Sequence, residues 1–440
     1  MRQSNLSKLS LFPLTKEVDS HGHLYIGGCD CVNLAKEYGT PLYVFDEATL
    51  RSKCQEFQTE FTKRYPNTLV IYASKAFLNR ALAVILKEEG LGLDVVSGGE
   101  ISVAHSVDFP NEKIYFHGNN KTADELKLAL DWKIGRIVVD NFYELELLNT
   151  LAHKKIVKQS ILLRLTPGID PHTHRHTTTG ILDSKFGFPL ADGQAGTAVA
   201  QALSASNLDL KGFHFHLGSP IFDTAPFEIA ISLVLNFARE MKTNHDFHLD
   251  EFSPGGGFAV KYTVDSQTPS IADYAEAITA KVTSLASELE LTHPKLIVEP
   301  GRAIVAQAGV ALYTVGSIKE IPGVRKYVCV DGGIGDNIRP ALYEAKYEAI
   351  VANKASDGSN TVTIAGRYCE SSDILAQDVS LAPVSVGDII AMPIGGAYSI
   401  PMASNYNLVP RPAIIMVKEG KARLIRKRES YQDLLRLDLI

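Results

Sequence analysis

Residues 68–100, TLVIYASKAFLNRALAVILKEEGLGLDVVSGGE, decide the fold. An apolar, β-branched run at Thr68–Ser74 gives way to a helical pattern over Asn79–Glu89, and a second apolar run follows at Gly92–Val96. Two apolar strands joined by an amphipathic crossover are the pattern of parallel strands covered on both faces. The alternation extends in both directions. Further strands are expected at Pro41–Phe45, Lys113–His117, Arg136–Asp140, Ser160–Leu165, Lys211–His216, Leu249–Ser253 and Lys295–Glu299. Amphipathic stretches such as Asp124–Leu130 and Phe227–Lys242 lie between them. Eight or so such units over about 250 residues predict an α/β fold, a (β/α)8 barrel of TIM type, with an open doubly wound sheet as the alternative.

After Arg302 the texture changes. Strand-like runs at Leu312–Ile318, Tyr327–Asp331, Glu348–Val351, Thr361–Ala365, Asp388–Met392, Ala413–Lys418 and Ala422–Ile425 are separated by Gly, Pro and Asn turns. The one helical pattern in this region is near Ser430–Leu437. This predicts a mainly antiparallel β domain. Three regions are therefore expected: residues 1–40 packing with the β domain, 41–302 forming the barrel and 303–440 forming the β domain.

Length and composition narrow the function. The chain has 440 residues, 45% hydrophobic and 21% charged, which suits a globular protein of two domains. A net charge of −6 and the lack of a dense basic cluster argue against nucleic-acid binding. The run Lys421–Arg428, KARLIRKR, reads as a surface strand. No stretch approaches the roughly 18 apolar residues of a membrane span, and the N-terminus lacks a signal-peptide pattern. A cytoplasmic location is expected. The five cysteines, Cys29, Cys31, Cys54, Cys329 and Cys369, follow neither a disulfide framework nor zinc-finger spacing.

The unusual residues fall at the C-terminal ends of the expected barrel strands, where such barrels carry their chemistry. Lys75 ends one strand; a lysine desolvated there has a depressed pKa and attacks aldehydes, as a Schiff-base enzyme requires. Gly255-Gly256-Gly257 ends another and could let backbone N–H groups approach a phosphate, with Ser219 and Arg302 as further donors. Its spacing is neither a dinucleotide fingerprint nor a nucleotide-binding P-loop. Glu299, followed by Pro300-Gly301-Arg302, could keep a pyridine nitrogen protonated. His214 and His216 alternate with Phe215 and are expected to point into the barrel together. They read as core histidines or as an imidazole stacked on a flat cofactor; no carboxylate at metal-ligand spacing accompanies them, so no metal is expected. The run His172–His176 is expected to be a polar loop covering the rim. Arg339–Tyr343, Cys369–Asp373 and Gly396–Tyr398 are chemically rich loop segments that core packing does not explain.

Taken in order, YASKAF, HFHLGS, SPGGGF, EPGR, GDNIRPALY, CESSD and GAYSIPMASNYN make the chain similar to the diaminopimelate decarboxylases, within the alanine-racemase-like (fold type III) class of pyridoxal-phosphate enzymes. The resemblance runs from Pro41 to about Val417. It implies a barrel followed by a β domain, a pyridoxal 5'-phosphate cofactor, and conversion of meso-2,6-diaminopimelate to L-lysine and carbon dioxide, the last step of lysine biosynthesis. By the same resemblance Lys75 carries the cofactor and His216 stacks on its ring. Ser219, Gly256, Gly257, Gly301, Arg302 and Tyr398 bind its phosphate region, and Glu299 pairs with the ring nitrogen. Arg339 and Tyr343, with Arg302 and Tyr398, hold the distal end of the substrate. Glu370 binds the distal ammonium, and Cys369 returns a proton after carbon dioxide leaves. Cys369 and Glu370 are expected to serve the partner's site in a homodimer. Two small departures stand out: Ser74 precedes Lys75 where glycine is common, and Ala365–Tyr368 lacks the Gly-Pro often found before the cysteine.

Three alternatives remain at this level. One is a related decarboxylase for ornithine, arginine, carboxynorspermidine or a siderophore precursor. Another is a racemase-like isomerase, and the third is a barrel that binds no cofactor. Arg339 separates the first from a diaminopimelate enzyme, because a substrate with only a distal ammonium would be repelled by it.

Overall fold

The computed structural model describes residues 5–170, 179–356, 358 and 360–440. The His172–His176 run lies outside them. The chain forms two compact units: residues 54–259 with 268–301, and residues 1–53 with 260–267 and 302–440. Among the described residues no helix is long and apolar enough to cross a membrane.

The first unit is a closed parallel barrel. Its strands are β1 (Thr68–Ala73), β2 (Gly92–Val95), β3 (Ile114–Phe116), β4 (Arg136–Val139), β5 (Gln159–Thr166), β6 (Leu208–His214), β7 (Glu251–Gly255) and β8 (Lys295–Val298). Pairing is sequential, and β8 returns to β1 with Leu296 opposite Thr68, which closes the ring. Ile71, Tyr115, Val138, Leu162 and Ile297 meet as one buried cluster, so side chains rather than a channel fill the barrel. At the N-terminal ends of the strands Arg136 makes a two-pronged ion pair with Glu251, at 2.9 and 2.7 Å. That end is committed to stability, which leaves the opposite rim for chemistry.

Helix starts follow local side-chain chemistry. Asn79, Ser97, Thr122 and Asn141 each accept a hydrogen bond from a backbone N–H of the first turn. These caps satisfy donors that the helix itself cannot.

The second unit is built on a mixed, mainly antiparallel sheet. Its central path runs Ile374–Leu381, Asn360–Ala365, Arg325–Val330, Gly309–Ile321, Leu42–Asp46, Ala413–Lys418 and Lys421–Arg426. The strand expected at Pro41–Phe45 exists as Leu42–Asp46, but it belongs to this sheet. It pairs antiparallel with Gly309–Ile321 and parallel with Ala413–Lys418. LYVFD is buried at every position, and a fully buried strand has the same apolar signature in a barrel and in the middle of a mixed sheet. The basic run forms the edge strand Lys421–Arg426, as expected of a surface strand. Strand Ile374–Leu381 went unforeseen, its alternation interrupted by Gln377 and Asp378.

The N-terminal strand Leu24–Ile26 and the helix Cys31–Tyr38 join the core of this unit. Leu24, Ile26, Cys29, Cys31 and Leu34 pack with Leu42, Val44, Val310 and Leu312. All five cysteines are free thiols.

Candidate active site

At the C-terminal rim of the barrel, Glu299 follows β8 directly and is buried. Its Oε2 lies 3.1 Å from His214 Nε2, and its Oε1 accepts from Ser253 Oγ at 2.8 Å. His117, at the end of β3, places Nε2 3.6 Å from Glu299 and 3.7 Å from Asp94. Burial, aided by the charges of Arg164 and Lys75, holds the His214 imidazole well below its ordinary pKa. Burial does the same to His117 despite the opposing charge of Glu299. Neutral imidazole has one N–H, so a His214 that donates from Nε2 leaves Nδ1 bare, and Nδ1 is buried without a hydrogen-bond partner among the described residues. Asp94 is buried in β2, and that burial raises its pKa despite the charge of Lys75.

Lys75 stands in a short 3-10 turn, Ser74–Ala76, at the end of β1. Its backbone neighbours Ser74 and Ala76 are buried, but the Lys75 side chain is exposed. This differs from the expected desolvated amine: the strand ends at Ala73, and the turn carries the side chain out of the core. Lys75 still acts electrostatically on Asp94, Glu100 and His216.

The expected pairing of His214 with His216 is also altered. β6 ends at His214, so strand alternation no longer governs His216. His216 is partly exposed and accepts a hydrogen bond from the Gly256 N–H at 3.3 Å. A carboxylate that local spacing could not reveal, Glu299, accompanies His214 from 85 residues further on. One ligand atom from each of His117, His214 and Glu299 lies within 4.8 Å of the others, and the interactions just described already engage the Glu299 carboxylate.

The triple glycine forms a cradle that side chains would fill. A Cβ at Gly256 would sit 2.1 Å from the Glu299 carbonyl oxygen, and one at Gly257 would sit 2.5 Å from that of Gly218. Gly255 and Gly257 also have φ of +74° and +112°. Phe258 pins the loop from below through edge contacts with Phe57 and Tyr274, each at 5.2 Å.

Three more rim residues escaped the sequence reading. Asp94, His117 and Arg164 are buried polar groups in or beside apolar strands, the signal that singled out Lys75. Arg164 stacks on Phe186 at 4.2 Å and lies 3.8 Å from Asp140, whose other oxygen accepts from the Gly187 N–H.

The second unit holds its own cluster. Arg302 and Arg339 are buried. Arg302 Nη1 donates to Tyr262 Oη at 2.6 Å, and its guanidinium lies 4.7 Å from the Tyr398 ring. Arg339 Nη1 donates to Tyr347 Oη at 2.5 Å and stacks 4.7 Å from the Tyr262 ring. Arg339 begins the short helix Arg339–Tyr343, where Tyr343 is half-buried. Tyr262 and Tyr347 carried no sequence signal, because loop tyrosines lack any period.

Cys369 and Glu370 are both exposed. Their loop is anchored by Asp373, which accepts from the Ile334 N–H at 2.7 Å and the Tyr368 N–H at 2.8 Å. A Cβ on Gly366 would fall 2.2 Å from the Asp373 carboxylate, so a glycine at that position makes room for the anchor. Hydrogen bonds from Ser372 hold the Glu370 carboxyl below its ordinary pKa.

Residues 47–306 match the family model for the pyridoxal-dependent decarboxylase, pyridoxal binding domain. Over 97% of both chains, the sequence is 48% identical to the diaminopimelate decarboxylase of Bacillus subtilis. The chain belongs to the diaminopimelate decarboxylase family. A crystal structure of the M. jannaschii diaminopimelate decarboxylase with L-lysine superposes at a TM-score of 0.91, with 36% identity and 97% and 98% of the two chains covered. The Helicobacter pylori enzyme complexed with L-lysine gives 0.85, with 33% identity and coverage of 92% and 98%.

The barrel rim fits the family's cofactor. Pyridoxal phosphate needs an amine for its aldehyde, a carboxylate for its ring nitrogen and backbone N–H groups for its phosphate. Lys75, Glu299 and the glycine cradle supply these chemical types, all at the C-terminal ends of barrel strands.

Proposed function

We propose that this diaminopimelate decarboxylase family member converts meso-2,6-diaminopimelate to L-lysine and carbon dioxide with pyridoxal phosphate, through Lys75. The observation that carries the reading is the buried Glu299 carboxylate, held by Ser253 and by a neutral His214 at the rim that also bears Lys75.

When bound, pyridoxal phosphate supplies an electron-poor ring that takes up the electron pair left as the bond between Cα and the departing carboxylate breaks. Lys75 would hold the cofactor covalently through its ε-amine and exchange places with the substrate amine. Glu299 would keep the ring nitrogen protonated; His214 and Ser253 fix its two oxygens so that the carboxylate cannot rotate away. His216 would lie against the ring. The N–H groups of Gly256, Gly257 and Gly301, with Ser219, Arg302 and Tyr398, would bind the phosphate region.

Arg339, with Arg302 and Tyr343, would receive the carboxylate that is not lost, and Glu370 the amine beside it. Cys369 would deliver the proton that replaces carbon dioxide on Cα. The exposed positions of Cys369 and Glu370 on a firmly anchored loop support a homodimer in which this loop serves the partner's site. Five free cysteines suit a reducing, cytoplasmic setting.

Incubation with pyridoxal phosphate and meso-diaminopimelate should release carbon dioxide and L-lysine in equal amounts, with ornithine and arginine left unreacted. Turnover of ornithine or arginine in place of diaminopimelate would overturn the substrate assignment.

A further inference from the structure

Tyr262 lies just beyond the triple-glycine loop and has two arginines on it. Its hydroxyl accepts from Arg302 Nη1 at 2.6 Å, while its ring centre lies 4.7 Å from the Arg339 guanidinium carbon and 5.8 Å from that of Arg302. Tyr347 stands edge-on to the same ring, at 5.3 Å and 87°, and accepts from Arg339. Tyr398 faces Arg302 from another segment at 4.7 Å. The order is an alternation of Tyr398, Arg302, Tyr262, Arg339 and Tyr347.

Two buried guanidiniums sharing one ring repel each other, and burying each costs solvation. Among the described residues no carboxylate forms an ion pair with Arg339; its contacts are aromatic faces and phenolic oxygens. Such an arrangement orients the Arg339 cation without neutralising it, which suits an anion that arrives from outside.

We propose that Tyr262 is a specificity-determining positioning residue, which locks Arg302 and Arg339 into one receptor for the carboxylate that the substrate keeps. The hydroxyl sets the Arg302 fork and the ring face sets the plane of Arg339, so both present N–H groups to the same anion. Burial pushes the Tyr262 hydroxyl up in pKa, but the charges of Arg302 and Arg339 outweigh it and leave the hydroxyl below the ordinary tyrosine range. Electron density on that oxygen strengthens its bond to Arg302. The proposal rests on the reading of Arg339 as the distal-carboxylate receptor.

L-lysine and cadaverine differ only by that carboxylate, which makes them a matched pair of probes. The cofactor-loaded protein is titrated with each, and affinity is read from the change in visible absorption. Wild type should prefer L-lysine by roughly 10- to 150-fold, the range of a charged hydrogen bond. Tyr262→Phe, which keeps the ring, should reduce the preference by about 3- to 10-fold, the range of one ordinary hydrogen bond. Tyr262→Leu should reduce it to the level of Arg339→Ala, through weaker L-lysine binding and with no loss of cadaverine binding in any of the three variants. Equal weakening of both ligands, or an unchanged preference in Tyr262→Phe and Tyr262→Leu, would overturn the proposal. A wild type without preference would instead remove the distal-carboxylate reading of Arg339.

Discussion

The Glu299 carboxylate accepts from the His214 imidazole, Nε2 to Oε2 at 3.1 Å, although 85 residues separate them. Parallel strands β6 and β8 flank β7 and bring their C-terminal ends to one rim, so the barrel topology makes the contact. Ser253, on β7 between them, completes the set. Glu299→Gln keeps the size and one acceptor oxygen but cannot hold a ring nitrogen protonated. The variant should fold and bind cofactor, yet kcat should fall by about 10²- to 10⁴-fold, the usual range for a positioned acid or base. Cofactor absorption and kcat measured together test this; an unchanged kcat would remove Glu299 from its role.

Stability of the cofactor-free protein should depend on pH in a defined way. His117 and His214 have folded pKa values well below their ordinary 6.5, through burial first. Below pH 6.5 the unfolded chain therefore binds more protons than the folded one, and stability falls as pH drops. Asp94 acts oppositely: raised by burial, it holds a proton when folded that the unfolded chain releases above 3.8, so its contribution is lost as pH rises. The His117 and His214 contributions favour higher pH and the Asp94 contribution favours lower, so the two imidazoles are partly offset by the carboxyl. The other charges acting on the two imidazoles are Lys75, Lys121, Arg164 and Glu299. His117→Asn should flatten the acid limb in urea melts between about pH 5 and 6.5; an unchanged slope would contradict the buried-neutral assignment.

Removing Arg339 should act on substrate affinity. Arg339→Ala is expected to raise KM for meso-diaminopimelate by roughly 10- to 150-fold. Cofactor absorption should be unaffected. Steady-state kinetics beside the absorption spectrum separate this from general damage.

Asp373 anchors the Cys369–Glu370 loop through the Ile334 and Tyr368 backbone N–H groups. Asp373→Asn turns one acceptor into a donor against a backbone N–H, a loss of about 1–3 kcal/mol for a buried mismatch. Amide exchange at Ile334 and Tyr368 should accelerate, and kcat should fall while cofactor binding persists. Unchanged exchange would show that the loop is held by other contacts.

How much of this was legible in the sequence depended on how local each signal was. Parallel barrel strands are short apolar runs, and those runs stand in the chain as printed. Lys75 and Glu299 showed because a charge at the end of such a run is anomalous. Asp94 in GLDVV and Arg164 in ILLRLT carry the same anomaly inside their strands, where it was passed over. Leu42–Asp46 could not be assigned to its sheet, since complete burial erases alternation. The contact of His214 with Glu299 and the stack of Arg339 on Tyr262 join residues far apart in the chain, and no local spacing encodes them. Asp373 was quoted within CESSD, but its anchoring role depends on Ile334, 39 residues earlier.

The central claim is that Lys75 carries the cofactor. Borohydride reduction of the pyridoxal-phosphate-loaded protein, followed by digestion and mass measurement, locates the attachment directly. A reduced phosphopyridoxyl group on the peptide containing Lys75, absent in Lys75→Ala along with the visible absorption and the release of carbon dioxide, is the predicted result. Stoichiometric labelling of another lysine, or decarboxylation that survives Lys75→Ala, would contradict it.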